Sequence, residues 1–453
     1  MTISILILAA GQGTRMRSSR PKVLQPLAGR PLLRHVVDCA RQIDAADICV
    51  VYGHGGDQVQ AAFAADGLRW ALQAEQLGTG HAVMQAMPET ADDNRVLVLF
   101  GDVPLLRPQT LERLLNECGA DDLGVLTVDV SNPHGYGRIV RENGRVVRNV
   151  EEKDANDSER LIKEVNSGVM CAPARKFKAW LERLGNDNSQ GEYYLTDVIA
   201  MAVADGTEVH GIKADSVEEL MGINDRRQLA EAERALQRRL VGELMAAGVG
   251  FADPSRVDIR GTLRCGQDVF IDVNAVFEGD VVVGDNVVIE TGNLIRDSRL
   301  GAGTVVHANC HIEQSEVGDE CEIGPYARLR PGTKLAEQVK IGNFVEVKKS
   351  NIAHASKVNH LSYIGDAEIG SGVNVGAGTI TCNYDGANKH RTTIGDGAFI
   401  GSGVNLVAPV EVGSGATIGA GSTVSKPVPA DQLTVARARQ MTVPGWKKPQ
   451  KTS

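Results

Sequence analysis

Aliphatic–glycine pairs recur through the C-terminal part of the chain. They are Val317-Gly318, Ile323-Gly324 and Ile341-Gly342, then Ile369-Gly370 and Val375-Gly376, then Ile394-Gly395, Ile400-Gly401, Val412-Gly413 and Ile418-Gly419. Within each group the spacing is a multiple of six. A six-residue period with an inward aliphatic side chain and a small corner residue specifies a parallel β-helix, whose coils bury their inner faces only by stacking on one another. Fifty glycines among 453 residues, with only 4% aromatics, fit such a tightly turning architecture. The period is expected to break once, between Gly376 and Gly395, where "NYDGANKHRTT" must leave the coil as a loop. Insertions in solenoids collect on a functional face, so this loop is a candidate binding element.

The first 226 residues follow another rhythm. Apolar runs such as "ISILILA", "DICVVYG", "VLVLFGD" and "LGVLTVDV" alternate with amphipathic segments such as "PLLRHVVDCARQ" and "PQTLERLLNEC". That alternation predicts an α/β domain with a mostly parallel sheet covered on both faces, its ligand sites beyond the carboxyl ends of the strands. "GRIVRENGRVVRNVEE" reads as a hairpin turning at Asn143-Gly144. Residues 224–247 form a charged helical pattern ended by Gly248 and Gly250. The expected organisation is one domain over 1–226, a linker helix over 227–247 and a second domain over 248–453.

Directly after the first strand comes "LAAGQGTRMRSSRPK", a glycine-containing and strongly cationic loop. A dinucleotide fingerprint and a P-loop both fail at Met16, where the first needs glycine and the second needs the glycine of its Gly-Lys pair. The loop suits phosphate by some other scheme. A net charge of −9 argues against nucleic acid and anionic membranes as partners. The eight cysteines form no CxxC pair, the pattern of free thiols in a reducing cytosol. The opening apolar run lacks a basic leader, and no stretch approaches a membrane span, so a cytoplasmic setting is expected.

The motifs "LAAGQGTRM…RPK", "QLGTGHA", "GDVPLL", "NSGVM" and "GIND" resemble those of the sugar-1-phosphate nucleotidyltransferases. "ARLRPG", "GNFVEVKKS", "NHLSYIGD", "GAGTITCNYDGANKH" and "IGSGVNLVAPV" resemble those of hexapeptide acetyltransferases. In this order the chain is similar to the bifunctional bacterial family that makes UDP-N-acetylglucosamine by acetylating glucosamine-1-phosphate from acetyl-CoA and then uridylylating the product with UTP. The resemblance implies a Rossmann-like first domain, a left-handed β-helix, small-molecule substrates, a homotrimer and acetyl-transfer sites between subunits.

For the first domain the resemblance implies UDP-N-acetylglucosamine contacts at Leu8, Ala9, Ala10, Gly11, Lys22, Gln73, Gly78, Thr79, Phe100, Gly101, Asp102, Gly137, Glu151, Asn166 and Asn224. Arg15 and Lys22 flank the glycines at a strand exit, placed to offset charge on an α-phosphate, whereas Arg17 and Arg20 read as solvated. Asp102 and Asn224 become Mg²⁺ ligands by the resemblance, since Mg²⁺ takes few protein oxygens and fills its shell with water and phosphate. The residues alone also allow Asp102 to cap the helix after Pro104, and Asn224 to cap the linker helix. Phe100 stands where the family commonly has tyrosine.

In the second domain Arg330 and Lys348 are eighteen residues apart, one full coil, and should stack in adjacent rungs about 4.8 Å apart. An anion between them would relieve their repulsion, and a sugar phosphate is that anion. Tyr363, Asn374 and Lys389 complete the implied glucosamine-phosphate site. Acetyl transfer to an amine needs a base; His360 is the candidate, with Glu346 within one coil to orient it. His307, His311 and His354 read instead as corner histidines. Ala377, Asn383, Tyr384, Ser402, Ala420 and Arg437 resemble an acetyl-CoA site, with no metal expected there. The alternative reading keeps nucleotidyl transfer and makes the β-helix a non-catalytic module for oligomerisation or regulation.

Overall fold

The computed structural model describes residues 2–449 and 451; residues 1, 450, 452 and 453 of the expected domains lie outside the described residues. The chain divides into two compact units, Met1–Leu236 and the remainder from Gln237. The helix Arg226–Ala246 crosses that division. Gly248, at φ 101°, turns the chain out of it.

In the first unit, the strands are β1 (Ile3–Leu8), β2 (Ala45–Tyr52), β3 (Arg69–Leu72), β4 (Arg95–Phe100), β5 (Leu123–Asp129), β6 (Arg138–Glu142), β7 (Arg145–Val150), β8 (Glu164–Pro173) and β9 (Val209–Lys213). Their order is β9-β5-β8-β4-β1-β2-β3, with the β6–β7 hairpin attached through β6 to β8. All neighbours on the main path are parallel except β8, which runs against both β4 and β5. Near-continuous apolar strands are explained by burial on both sides: one core cluster holds Ile5, Ile7, Leu97 and Leu99, another Leu6, Leu8, Val96 and Val98. Chain winding reverses between β1 and β4, so their carboxyl ends open a switch-point crevice. The hairpin turns on Asn143 and Gly144, both with positive φ, the geometry that matches strand twist.

The second unit is a parallel β-helix of the left-handed, hexapeptide kind. Its strands form an 11-stranded ladder and a 17-stranded sheet that carries two interleaved ladders, which makes three faces. Val, Ile and Leu at alternate positions fill one continuous core running from Val249 to Val428. The hexapeptide register slips more often than the sequence suggests. Arg328 pairs with Glu346, a full coil of 18, whereas Lys340 pairs with Lys357 and Lys357 with Asn374, coils of 17. Some corners close with one residue fewer. The large break is where expected: Asn374 pairs with Phe399, with the loop between. Among the described residues, no helix is long and apolar enough to cross a membrane.

Candidate functional site

At the exits of β1 and β4 the backbone ties three loops together. Gly101 N–H donates to Leu8 O at 2.9 Å, Ala9 N–H to Val51 O at 2.8 Å, and Ile223 N–H to Asp102 O at 2.9 Å. The last bond brings Asn224 beside Asp102 from far along the chain. Gly101 is buried, and a Cβ there would press on Ala9, Val23 and Leu33 at 3.2–3.3 Å. It therefore supports the crevice from beneath without lining it.

A cavity of about 240 Å³ opens above these loops, lined by Leu8, Ala9, Ala10, Gly11, Lys22, Gln73, Gly78, Thr79, Phe100 and Asp102 together with Val23, Gln76, Ala82 and Glu192. A second, of about 290 Å³, includes Gly137, Glu151 and Asn166. Thr79, Phe100 and Glu192 line both, so the two form one groove. Thirteen of the fifteen contacts expected for a nucleotide sugar line it; Gly101 and Asn224 do not. Arg15 is exposed on the short turn Thr14–Met16 and is not brought to the groove.

Lys22 is the hub. Its ammonium forms an ion pair with Asp102 and donates to Asn224 Oδ1 at 3.2 Å. Two oxygens thus converge on a single cation, the arrangement a hard metal ion would need. Neither alternative as a helix cap holds. Asp225, one residue on, caps the linker helix by accepting from Gln228 N–H at 2.9 Å, and the helix Pro108–Glu117 starts after Arg107, well beyond Asp102.

The second cavity owes its shape to irregular backbone. β8 shifts register between Asn166 and Met170, with Gly168 at φ 83° in the bulge. Bulges re-aim side chains, and here Asn166 turns inward. Its Oδ1 accepts from Gly168 N–H at 2.8 Å while its buried Nδ2 has no partner, a donor left for a ligand. A Cβ on Gly168 would sit 2.6 Å from the Phe100 ring. Glu151 Oε1 accepts from Asn149 Nδ2 at 2.8 Å and Thr196 Oγ at 3.0 Å. Glu192 and Thr196 escaped the sequence reading because they lie in segments without a recognisable motif, and Asn149 because the hairpin pattern around it says nothing of side-chain contacts.

In the β-helix, Arg330 N–H donates to Val347 O at 2.9 Å, setting Arg330 and Lys348 in neighbouring rungs, and Tyr363 pairs with Glu346 in the next. Glu346 does not orient His360. It accepts from Arg330 at 2.7 Å, and the His360 ring instead meets Asn343 Oδ1 at 3.2 Å through Nδ1. The reason is register: Asn343 pairs directly with His360, while Glu346 lies on another face. Among the other histidines, His307 Nδ1 sits 3.0 Å from Glu290, and burial pushes the His311 imidazole below its ordinary pKa.

Buried Asn383 donates to Asp366 at 2.5 Å and lies 3.4 Å from the Tyr363 hydroxyl. In the loop, Lys389 rests its ammonium 4.2 Å above the Tyr384 ring. Asp385 ties the loop by accepting from Ala387 N–H, Asn388 N–H and His390, which holds its carboxyl well below the usual range. Asn374 stands on the 11-stranded face, between Lys357 and Phe399. Ala377, Ser402 and Ala420 follow the paired rungs of Val375, Ile400 and Ile418 and stack at one corner, where Arg437 donates to Ala420 O.

Residues 5–188 match the model of the MobA-like NTP transferase domain, and 391–426 that of the bacterial transferase hexapeptide (six repeats). Residues 259–358 match the GMPPB C-terminal domain. The chain is 58% identical over 450 residues to the bifunctional protein GlmU of Aromatoleum aromaticum, covering 99% of both. The chain belongs to the bifunctional GlmU family. Herminiimonas arsenicoxydans GlmU is 57% identical, again over 99% of each chain, and Acinetobacter baumannii (strain ACICU) GlmU 53% identical over 100% of this chain and 99% of its own. As a GlmU-family member the chain is a bifunctional enzyme, with a nucleotidyltransferase unit followed by a hexapeptide acetyltransferase unit.

Proposed function

We propose that the β-helix acetylates glucosamine-1-phosphate from acetyl-CoA, and that the first unit then transfers UMP from UTP to N-acetylglucosamine-1-phosphate, releasing pyrophosphate. The groove carries this reading: two joined cavities, one over a cationic hub and one lined by hydroxyl, carboxylate and amide groups, suit a nucleotide and a sugar meeting at a phosphate.

In uridylyl transfer an oxygen of the sugar phosphate attacks the α-phosphorus of UTP as its bond to pyrophosphate breaks. The reactants are both anions. Lys22 offsets the charge that grows at the α-phosphate, a role expected of Arg15 as well, which stands exposed outside the groove. Asp102 and Asn224 fit a Mg²⁺ ion, whose chemistry would be to neutralise the triphosphate and polarise the α-phosphate. Lys22 reaches both of these oxygens with its ammonium. Glu151 and Asn166 are assigned the sugar, as acceptor and donor.

In acetyl transfer the glucosamine nitrogen must lose its ammonium proton before attacking the thioester. The Nδ1–H of His360 donates to Asn343, which leaves Nε2 as the base facing outward. The amine forms the amide bond, the C–S bond breaks, and CoA leaves as thiol. Arg330 and Lys348 are assigned the sugar phosphate with Tyr363, Asn374 and Lys389. The stacked corner of Ala377, Ser402 and Ala420 gives pantetheine a track of small side chains, with Asn383, Tyr384 and Arg437 along it.

We place the enzyme in the cytoplasm as a homotrimer. Eight free thiols suit a reducing compartment. Tyr326, Phe344 and Leu361 stack on one corner, are 53%, 55% and 63% exposed, and hold positive φ of 56°, 56° and 49°. Large apolar residues in strained, exposed positions need a reason, and burial against further copies of the chain supplies it. The test is to supply the full chain with glucosamine-1-phosphate, acetyl-CoA, UTP and Mg²⁺ and follow CoA and pyrophosphate separately. Both should appear, with pyrophosphate depending on acetyl-CoA. Pyrophosphate from added N-acetylglucosamine-1-phosphate without any CoA release would favour the scaffold reading.

A further inference from the structure

Gln73 lines the first cavity, yet only 3% of it is exposed. The orientation of its amide is therefore set from behind. Nε2 donates to Gly78 O at 3.1 Å and to His81 Nδ1 at 3.1 Å. A backbone carbonyl can only accept, so turning the amide over would set two oxygens against each other. Oε1 has no hydrogen-bond donor among the described residues and is not among the buried unpaired atoms. It is left as an acceptor open to the cavity.

His81 sits in the first turn of the helix Thr79–Ala86, its ring against Tyr193 with centroids 6.3 Å apart. Because Nδ1 receives the Gln73 amide, the neutral ring carries its proton on Nε2. That nitrogen lies 3.1 Å from the amide end of half-buried Gln85, which also reaches His81 O at 3.3 Å.

We propose that His81 is a positioning residue for base selection: it locks the Gln73 amide with its oxygen toward the cavity, so that the site takes a pyrimidine with a donor at N3. Uracil presents N3–H to that oxygen. Cytosine presents a lone pair at N3, and two acceptors then face each other in a largely dry site, which penalises CTP. This rests on the uridylyl-transfer reading of the groove.

The experiment uses the full-length chain and its His81→Leu and His81→Asn variants. Pyrophosphate release is measured with UTP and with CTP against N-acetylglucosamine-1-phosphate, and CoA release in the same samples reports a folded chain. Leucine cannot accept; it should raise KM for UTP about tenfold and lower the UTP-over-CTP preference in kcat/KM about tenfold, with kcat within about twofold. Asparagine places Oδ1 where Nδ1 stood and should restore both. An unchanged preference in His81→Leu with normal CoA release overturns the proposal. So does an asparagine variant as impaired as the leucine one at wild-type melting temperature. If the wild type itself shows no preference for UTP, the uridylyl reading fails and takes this proposal with it; a wild-type preference that ignores His81 sinks the proposal alone.

Discussion

A methyl group added at Gly137 should cripple use of the sugar phosphate and leave acetyl transfer untouched. Its Cβ would fall 2.6 Å from Asn149 Oδ1, 2.7 Å from Nδ2 and 3.0 Å from Glu151 Oε1. Real side chains do not approach so closely, so Asn149 must leave and its 2.8 Å bond to Glu151 breaks. A hydrogen bond to a charged acceptor contributes about 1.5–3 kcal/mol. Gly137 O also accepts from Asn166 N–H at 3.0 Å, so any backbone retreat drags the second sugar contact with it. The expected rise in KM for N-acetylglucosamine-1-phosphate is about 10- to 100-fold, at roughly 1.4 kcal/mol per tenfold. The assay is pyrophosphate release at saturating UTP, with CoA release as control. Asn149→Ala alone loses the same bond and should cost a similar amount, whereas adding Gly137→Ala to it should cost little, because the space is already free. If Gly137→Ala were equally harmful on both backgrounds, or raised KM for UTP instead, the assignment of the second cavity to the sugar would be wrong.

Chelating divalent cations should stop pyrophosphate release and leave CoA release intact, measured on one sample with and without EDTA. Phe344→Glu should shift sedimentation from trimer toward monomer and remove acetyl transfer with it; an unchanged trimer would refute the role given to the exposed corner. Arg34 and Arg41 hold the Asp66 carboxyl at about 2 rather than 3.8. Its stabilising contribution is therefore complete above the ordinary range and lost as pH falls from about 4 toward 2. Asp66→Asn should flatten the decline of melting temperature over that window, and an identical slope would contradict the assignment.

Both architectures were legible because each has a period that chemistry enforces. Runs such as "VLVLF" are apolar throughout because both faces of β4 are covered, and the aliphatic of each hexapeptide points into the coil. Asp102 stood out as a charge at the exit of an apolar strand, and Lys22 as the end of a glycine-containing, cationic loop. The one-residue slips of the β-helix were hidden because the shortened corners turn on Asp297, Gln314, Lys349 and Asp366 at positive φ, with no glycine there to mark them. Asn224 and Asp225 are equally good caps on paper, and only the fold decides between them. The carboxylate beside His360 was misjudged for the same reason: on a three-faced coil, nearness in sequence does not say which face a residue occupies. Glu192 and Thr196 reach the groove through loop packing, and Asn149 acts on it only through its bond to Glu151, contacts that leave no local signature.

The most direct test of two separate catalytic sites in one chain is a reciprocal pair of variants assayed for both products. His360→Ala should lose acetyl transfer by about 10²–10⁴-fold and keep uridylyl transfer near wild type, whereas Asp102→Ala should do the opposite. If either substitution silenced both reactions in a folded trimer, the two-site account would be contradicted.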